Sequence, residues 1–321
     1  MSQHEQLSTK RVATDTFPLS WVDVSMVLVT VIWGINFTVV KQTLAEMSPM
    51  VFASLRFALA ALFMTLVVVG RGESLRVDRA DLWRLLLAGL LGITACQAFF
   101  IQGIARTTAS NAALLTATNP LFITVLSALF HIEPVGRRAA VGVGLSFAGV
   151  ALIIGAGPDG LSLTSETFKG NLITLLAPLC WSFYMIVLKP LMRRYSPLKL
   201  TALNMLMGTP LLLVLSTGDI VNQQWAAITW RGWLGLCYSF VLATAVAFAV
   251  WNNSVHRAGH TRTAVFSNLN PAVAVVISWL FLGETLSFWQ GIGGIVTLIG
   301  VTLTRLGLRN ARKRDNARTT P

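Results

Sequence analysis

The sequence predicts an all-α integral membrane protein with ten transmembrane helices in two inverted five-helix repeats. Three observations lead to this fold class: few charges, ten long apolar runs, and a residue pattern that occurs twice in the same order. Of the 321 residues, 54% are hydrophobic and only 12% are charged, and the mean hydropathy is +0.67. A soluble domain carries about 25% charged residues. This composition therefore excludes a soluble globular protein.

Ten apolar runs are long enough to cross a bilayer. A transmembrane helix needs about 20 consecutive apolar residues. The runs are continuously apolar and rich in Leu, Ala and Val, whereas the strands of a membrane barrel alternate, so they predict helices. We expect the spans near residues 21–42, 49–70, 82–104, 109–130, 137–156, 169–189, 198–216, 232–254, 262–282 and 287–306.

The distribution of Lys and Arg predicts which ends of these spans face the cytoplasm. Cytoplasmic connections of membrane proteins are enriched in these residues. With the N-terminus inside, cytoplasmic segments carry twenty of them, and the outer connections carry four: Lys41, Arg106, Lys169 and Arg231. The first 20 residues are polar and lack the apolar stretch of a signal peptide. We therefore expect an inner-membrane protein with both termini in the cytoplasm.

The net charge of +12 does not predict nucleic-acid binding. Its basic residues form short clusters between the apolar runs rather than one basic face. The densest cluster, from Arg305 to Arg318, either binds anionic lipid or only fixes the topology. The expected partners are thus the lipid bilayer and a small-molecule substrate, without nucleic acid, and the oligomeric state cannot be read from the sequence.

The two halves of the chain repeat one another. Residues 33–41, WGINFTVVK, align with residues 181–189, WSFYMIVLK, at an offset of 148. Later matches at an offset of 151 are Asn119-Pro120 with Asn270-Pro271, Glu133 with Glu284, and Gly142 and Gly149 with Gly293 and Gly300. Each repeat holds five spans, so the second copy enters the membrane from the opposite side. Secondary transporters recurrently use this plan, with the substrate site between the halves.

The repeats also set the expected domain boundaries. The segments are a cytoplasmic N-terminal segment at 1–20, a first repeat at 21–156, a periplasmic linker at 157–168, a second repeat at 169–306, and a basic cytoplasmic tail at 307–321.

The chain resembles the drug/metabolite transporter superfamily, specifically its EamA-type ten-helix exporters. The resemblance rests on the WG-N-F segment with Lys41, on Ser48-Pro49 followed by Arg56-Phe57, and on the paired Asn-Pro…Glu segments. It implies a secondary transporter that exports a small metabolite, an amino acid or a toxic amphiphile by alternating access. The second half departs from the pattern, because Asn204 stands where Arg56 would repeat.

Charged residues within or at the ends of spans are functional candidates. Arg56 is the only ion well inside a span, and it either binds a substrate carboxylate or snorkels or bonds to neighbouring carbonyls. Lys41 and Lys189 end corresponding helices, where they snorkel to the interface or act as gates. We interpret Glu133 and Glu284 as interfacial anchors, pairing with nearby bases or with the N-terminus of the next helix, rather than as proton carriers.

The polar uncharged residues predict a cavity walled by aromatic side chains. An amide in hydrocarbon must find a partner, so these side chains should face one another or water. Any single one is better explained by contacts between helices, whereas the whole set favours a cavity. The candidate substrate-binding residues are Trp33, Asn36, Arg56, Gln97, Asn119, Trp181, Tyr184, Trp251 and Asn270.

No catalytic residue, cofactor or metal site is predicted. Cys96, Cys180 and Cys237 lack a CxxC spacing, and there is no GxxxxGK[ST] motif for ATP. The alternatives to an exporter are a transporter working in the uptake direction, a membrane-embedded lipid-modifying enzyme and a non-transporting scaffold. The enzyme would need acids, bases or metal ligands at one depth, and no carboxylate lies mid-span in this sequence.

Overall fold

The computed structural model describes residues 21–130, 136–157, 162, 164–251, 254, 266 and 269–319. Regular secondary structure within these residues is helical throughout. The predicted N-terminal segment 1–20, Glu133 and part of the predicted linker 157–168 lie outside the described residues.

The described part of the chain contains ten apolar helices. In chain order they are α1 (Trp21–Thr43), α2 (Pro49–Gly70), α3 (Arg79–Arg106), α4 (Ala109–Leu129), α5 (Arg137–Gly155), α6 (Glu166–Leu188), α7 (Pro197–Leu215), α8 (Trp230–Trp251), α9 (Leu269–Leu282) and α10 (Phe288–Thr319). Eight of them are long and apolar enough to cross a membrane, and α9 and the apolar part of α10 are shorter. The predicted all-α membrane fold is confirmed.

Two helix boundaries differ from the sequence prediction. The tenth span was expected to end near residue 306, but α10 continues to Thr319. Its last turns hold Arg, Lys, Ala and Asn, and no proline stops the helix before Pro321. The fourth span was expected near 109–130, and α4 lies there but is interrupted between Thr116 and Asn119, next to Pro120. Proline lacks a backbone N–H and disfavours helical geometry in the preceding residue, which favours this interruption.

The contact between α5 and α10 is consistent with a twofold relation between the repeats. A Cβ added to Gly142 would lie 2.5 Å from the carbonyl oxygen of Gly300, and one added to Gly149 would lie 2.6 Å from that of Gly293. Between these glycines, Ser146 Oγ lies 3.4 Å from the carbonyl oxygen of Thr297, 151 residues away. The repeat thus relates the contact of Gly142 with Gly300 to that of Gly149 with Gly293, and Ser146 lies next to its own counterpart, Thr297. The four glycines therefore allow α5 and α10 to approach each other closely.

Other packed helix pairs follow the same twofold relation. When each helix is replaced by its counterpart in the other repeat, one packed pair becomes another packed pair. The pair α1 and α9 corresponds to α6 and α4, the pair α3 and α6 corresponds to α8 and α1, and α2 packs against its own counterpart α7. Helices of the first repeat therefore pack mainly against helices of the second. Because of this interlocking, any space between the helices is lined by residues of both repeats.

The third helix of each repeat contains a π-helical stretch that the sequence did not predict. These stretches are Leu90–Ala95 in α3 and Tyr238–Val246 in α8. Their first residues are 148 apart and their last residues 151 apart, so the three-residue change in the repeat offset lies within the π-helix. π-Helical segments are often found at functional sites because they redirect side chains and free backbone groups.

Candidate functional site

The first group of candidate residues lies where α1 meets α8. The indole Nε1 of Trp33 donates to the carbonyl oxygen of Ala243 at 2.8 Å. Its ring centroid lies 5.2 Å from that of Trp251 and 5.7 Å from that of Phe248. A half-buried indole needs a partner for its N–H, and this carbonyl fixes its orientation. The sequence-predicted residues Trp33 and Trp251 are thus in direct ring contact.

A chain of hydrogen bonds runs through the π-helical stretch of α8. Ser239 Oγ donates to Asn36 Oδ1 at 2.9 Å, and Thr244 Oγ1 donates to the carbonyl oxygen of Ser239 at 2.8 Å. Arg56 Nε in turn donates to Thr244 Oγ1 at 3.0 Å. Asn36, on α1, and Arg56, on α2, are therefore joined through one segment of the second repeat.

Arg56 is the buried charge at this position. The residue is 7% exposed, and its guanidinium carbon lies 5.2 Å from the ring centroid of Phe57. No Asp or Glu among the described residues forms an ion pair with it. The snorkelling considered for Arg56 does not occur, because its side chain points to α8 instead. A buried cation without a carboxylate is costly unless an anion reaches it.

The second group lies where α6 meets α3 and α7. The rings of Trp181 and Tyr184 are 4.9 Å apart, and Asn204 Nδ2 donates to the Tyr184 hydroxyl at 3.3 Å. The Tyr184 ring packs on Gly92 in the π-helical stretch of α3, where an added Cβ would lie 2.6 Å from Tyr184 Cδ2. At the repeat offset of 148, Tyr184 corresponds to Asn36 and Asn204 to Arg56.

The two groups are equivalent in position but differ in chemistry. The first group holds a cation, and the second holds a phenol and an amide. The amide oxygen Asn204 Oδ1 is buried without a hydrogen-bond partner among the described residues. The first group thus offers a buried cation, and the second offers a buried amide oxygen that is free to accept a hydrogen bond.

Three candidate side chains are not joined to either group by hydrogen bonds. Asn119 Oδ1 and Asn270 Oδ1, which the repeat relates, are both buried without a partner. Only the backbone of Asn119 is engaged, since its carbonyl oxygen accepts from Ser182 Oγ at 3.3 Å. Gln97 is half-buried, with no hydrogen bond to another residue that the structure describes. Free polar atoms inside an apolar bundle need water or a ligand.

Sequence reasoning missed some residues of this arrangement and misread others. It did not link Thr244 to Arg56, because the π-helix that orients Thr244 leaves no signal in the residue pattern. It did not single out Ser239. It also favoured snorkelling for Lys41, whereas Lys41 Nζ donates to three carbonyl oxygens at the end of α3. Glu284 accepts from the N-terminus of α4, whereas the anchor interpretation named nearby bases or the N-terminus of the next helix, α10.

The fold and this site define a class of protein. Ten interlocked helices with polar groups from both repeats between them form the plan of a secondary membrane transporter. Consistent with this, the chain belongs to the EamA-like transporter family, whose sequence model matches residues 20–155 and 168–306. It is a multi-pass membrane transporter of small molecules.

Individual relatives agree with this assignment. A protein of Archaeoglobus fulgidus named as an uncharacterised transporter is 30% identical over 284 residues, covering 87% of this chain and 95% of its own. A protein of Salmonella typhimurium named as a probable amino-acid metabolite efflux pump is 29% identical over 295 residues, covering 89% and 95%. One crystal structure shares the fold at a TM-score of 0.65 and 18% identity, covering 90% of this chain and 98% of its own. Because the family and these relatives are transporters, the chain is a transporter and not a lipid-modifying enzyme.

Proposed function

We propose that this transporter exports a small metabolite that carries a carboxylate, such as an amino acid or a related compound, by alternating access. Arg56 carries the proposal, because a buried guanidinium without a carboxylate partner among the described residues is suited to receive the carboxylate of a substrate. The name of the Salmonella typhimurium relative, an amino-acid metabolite efflux pump, is consistent with this substrate class.

The remaining candidate residues complete the proposed site. The paired rings of Trp33 and Trp251 offer an apolar wall for the carbon skeleton of the substrate. Asn36, Gln97, Asn119 and Asn270 supply amide groups that orient polar atoms, and Trp181 with Tyr184 forms the wall contributed by the second repeat. A toxic amphiphile fits the same aromatic walls, but it would make no use of Arg56 unless it carried an anionic group.

The proposed direction and topology follow from the distribution of positive charge. The end of the bundle that holds Lys41, Ala109 and Glu284 is here called the Lys41 end, and the opposite end, which holds Arg137, is called the Arg137 end. Placing the Arg137 end and both termini in the cytoplasm agrees with the positive-inside rule. The segments 1–20 and 307–321 are then cytoplasmic, the linker 157–168 is periplasmic, and the repeats span 21–156 and 169–306.

Counterflow in reconstituted vesicles tests the substrate class. We expect vesicles loaded with an unlabelled amino acid to accumulate the same labelled amino acid, and its decarboxylated amine to exchange poorly. The variant Arg56→Gln should lower exchange of the carboxylated substrate at least about tenfold, since a lost charge-assisted contact in a buried site costs about 2–5 kcal/mol. Exchange of the amine should change little.

The matched control is Arg231→Gln, which removes an exposed cation from the first turn of α8. It should leave both activities unchanged. Equal exchange by Arg56→Gln and the unmodified protein would overturn the role of Arg56. Resistance of cells to an excess of the amino acid, compared with a deletion strain, separates export from uptake: an uptake system would make the cells more sensitive.

A further inference from the structure

Lys41 binds carbonyl groups at the end of α3. Its Nζ donates to the carbonyl oxygens of Ile104 at 2.9 Å, Ala105 at 3.1 Å and Thr107 at 2.6 Å. The last carbonyls of a helix lack partners within the helix and carry partial negative charge. The ammonium of α1 therefore matches the C-terminus of α3 in both hydrogen bonding and charge.

Glu284 makes the complementary contact with the start of α4. It follows Gly283, whose positive φ of 66° turns the chain after α9. Its carboxylate accepts hydrogen bonds from the backbone N–H groups of Ala109 at 2.8 Å and Ser110 at 2.9 Å, and from Ser110 Oγ at 2.7 Å. An anion is favoured at a helix N-terminus, where the first N–H groups are free.

The two contacts hold one turn from both sides. Thr107 and Thr108 connect α3 to α4. Lys41 binds the end of α3, which precedes this turn, and Glu284 binds the start of α4, which follows it. The two side chains also attract each other electrostatically. Their own helices, α1 and α9, pack together, with Thr38 Oγ1 lying 3.0 Å from Ser278 Oγ. Lys41 and Glu284 thus belong to the packed pair α1 and α9, and both bind the connected helices α3 and α4.

The packing of α4 against α9 shows which end these contacts close. Within the described residues, α9 packs against Ala109–Thr116, the half of α4 at the Lys41 end. The described contact between α4 and α9 therefore lies at the Lys41 end.

We propose that Lys41 and Glu284 are positioning residues for transport that form a clamp on the α3–α4 turn, closing the Lys41 end of the bundle. Release of the clamp lets α3 and α4 move away from α1 and α9 and opens this end. The proposal rests on the alternating access proposed above.

Spin-label distances across the Lys41 end test the clamp. In a cysteine-free background of the full chain, labels at Arg106→Cys and Thr285→Cys occupy exposed positions on the two sides of the contact. We expect the unmodified clamp to give mainly a short distance in lipid nanodiscs. Lys41→Met and Glu284→Gln should each increase the long-distance population severalfold, whereas Lys41→Arg should keep most of the short one.

The control is Lys169→Gln, which removes an exposed positive charge at the same end and outside the clamp. It should leave the distance distribution unchanged. Short distances retained in both neutralised variants would overturn the clamp, as would equal opening by Lys169→Gln. If one neutralised variant fails to fold, the other tests the same contact from the opposite side. The distances are read without substrate, so loss of the clamp and failure of the proposed carboxylate transport are separate results.

Discussion

Arg56 Nε lies 3.0 Å from Thr244 Oγ1, and this contact joins the second helix of one repeat to the third helix of the other. The Thr244 hydroxyl can accept this bond because it donates its own hydrogen bond to the carbonyl oxygen of Ser239, five residues earlier. A carbonyl five residues away is the partner that a π-helix brings within reach. The irregular turn of α8 therefore orients the buried cation of the proposed substrate site.

Replacing Thr244 with Val should weaken binding of a carboxylated substrate. Valine has nearly the same shape but neither accepts from Arg56 nor donates to Ser239, so the guanidinium loses its fixed orientation. Hydrogen bonds to charged groups contribute about 1.5–3 kcal/mol. We expect the KM for counterflow to rise about tenfold or more, with a smaller change in the maximal rate.

The matched control for this substitution is Thr65→Val in α2. The hydroxyl of Thr65 is buried without a hydrogen-bond partner, so the same atoms are removed without breaking a bond. Its KM should stay unchanged. A normal KM in Thr244→Val would show that Thr244 does not position Arg56 for substrate binding.

Asn119→Ala and Asn270→Ala should each lower transport while leaving protein abundance intact. Their amide oxygens have no partner in the structure, so their loss removes little folding energy and takes away groups available to a substrate or water. We expect a severalfold fall in counterflow at normal thermal stability in detergent.

Asn171→Ala is the comparison for a buried amide that does have a hydrogen-bond partner. Asn171 is buried, and its Oδ1 accepts a hydrogen bond from the buried hydroxyl of Thr107. Leaving that hydroxyl without its acceptor should cost about 1–3 kcal/mol of stability. If Asn119→Ala and Asn270→Ala destabilise the protein as much as Asn171→Ala does, their side chains have a structural role instead.

Gly149→Ala should destabilise the contact between α5 and α10. The new methyl group would lie 2.6 Å from the carbonyl oxygen of Gly293, so the helices must separate. Overpacking of this kind costs about 1–3 kcal/mol. Thermal unfolding in detergent should show a clearly lowered midpoint. Gly144→Ala, on the same helix with no atom within 4 Å of the added Cβ, should unfold like the unmodified protein.

Reporter tags should place both termini and the loops of the Arg137 end in the cytoplasm. We expect a cysteine introduced near residue 160 to react with a membrane-impermeant reagent in intact cells, and a C-terminal tag to be digested only after the membrane is opened. Reaction of the C-terminus from outside would contradict the topology derived from Lys and Arg counts and, with it, the export direction.

Much of the fold could be predicted from the sequence. Ten apolar runs and the repeated segments at 33–41 and 181–189 predicted the helices and their relation, because hydrocarbon requires each backbone group to bond within its own helix. The glycine pairs favoured the close approach of a neighbouring helix, and the structure shows that α5 and α10 approach each other there. Arg56 could also be identified from the sequence as a candidate functional residue, since a charge inside a span is costly.

The candidate site was predicted less completely. Trp33 with Trp251, and Trp181 with Tyr184, are brought together as expected for aromatic walls. The hydrogen bonds from Arg56 to Thr244 and from Asn204 to Tyr184 were not predicted, because they join helices far apart in the chain. The same holds for Lys41 at the end of α3.

Composition and order of residues alone determined that this chain lies in a membrane, that it crosses it as helices, and that its halves run in opposite directions. Only the tertiary structure decided which polar groups meet. Hydrophobic burial depends on the local residue pattern and hardly on the relative orientation of the side chains in contact. Hydrogen bonds and ion contacts depend on distances of about 3 Å between atoms on different helices, and these are fixed only once the helices pack and the π-helical turns of α3 and α8 set their rotation.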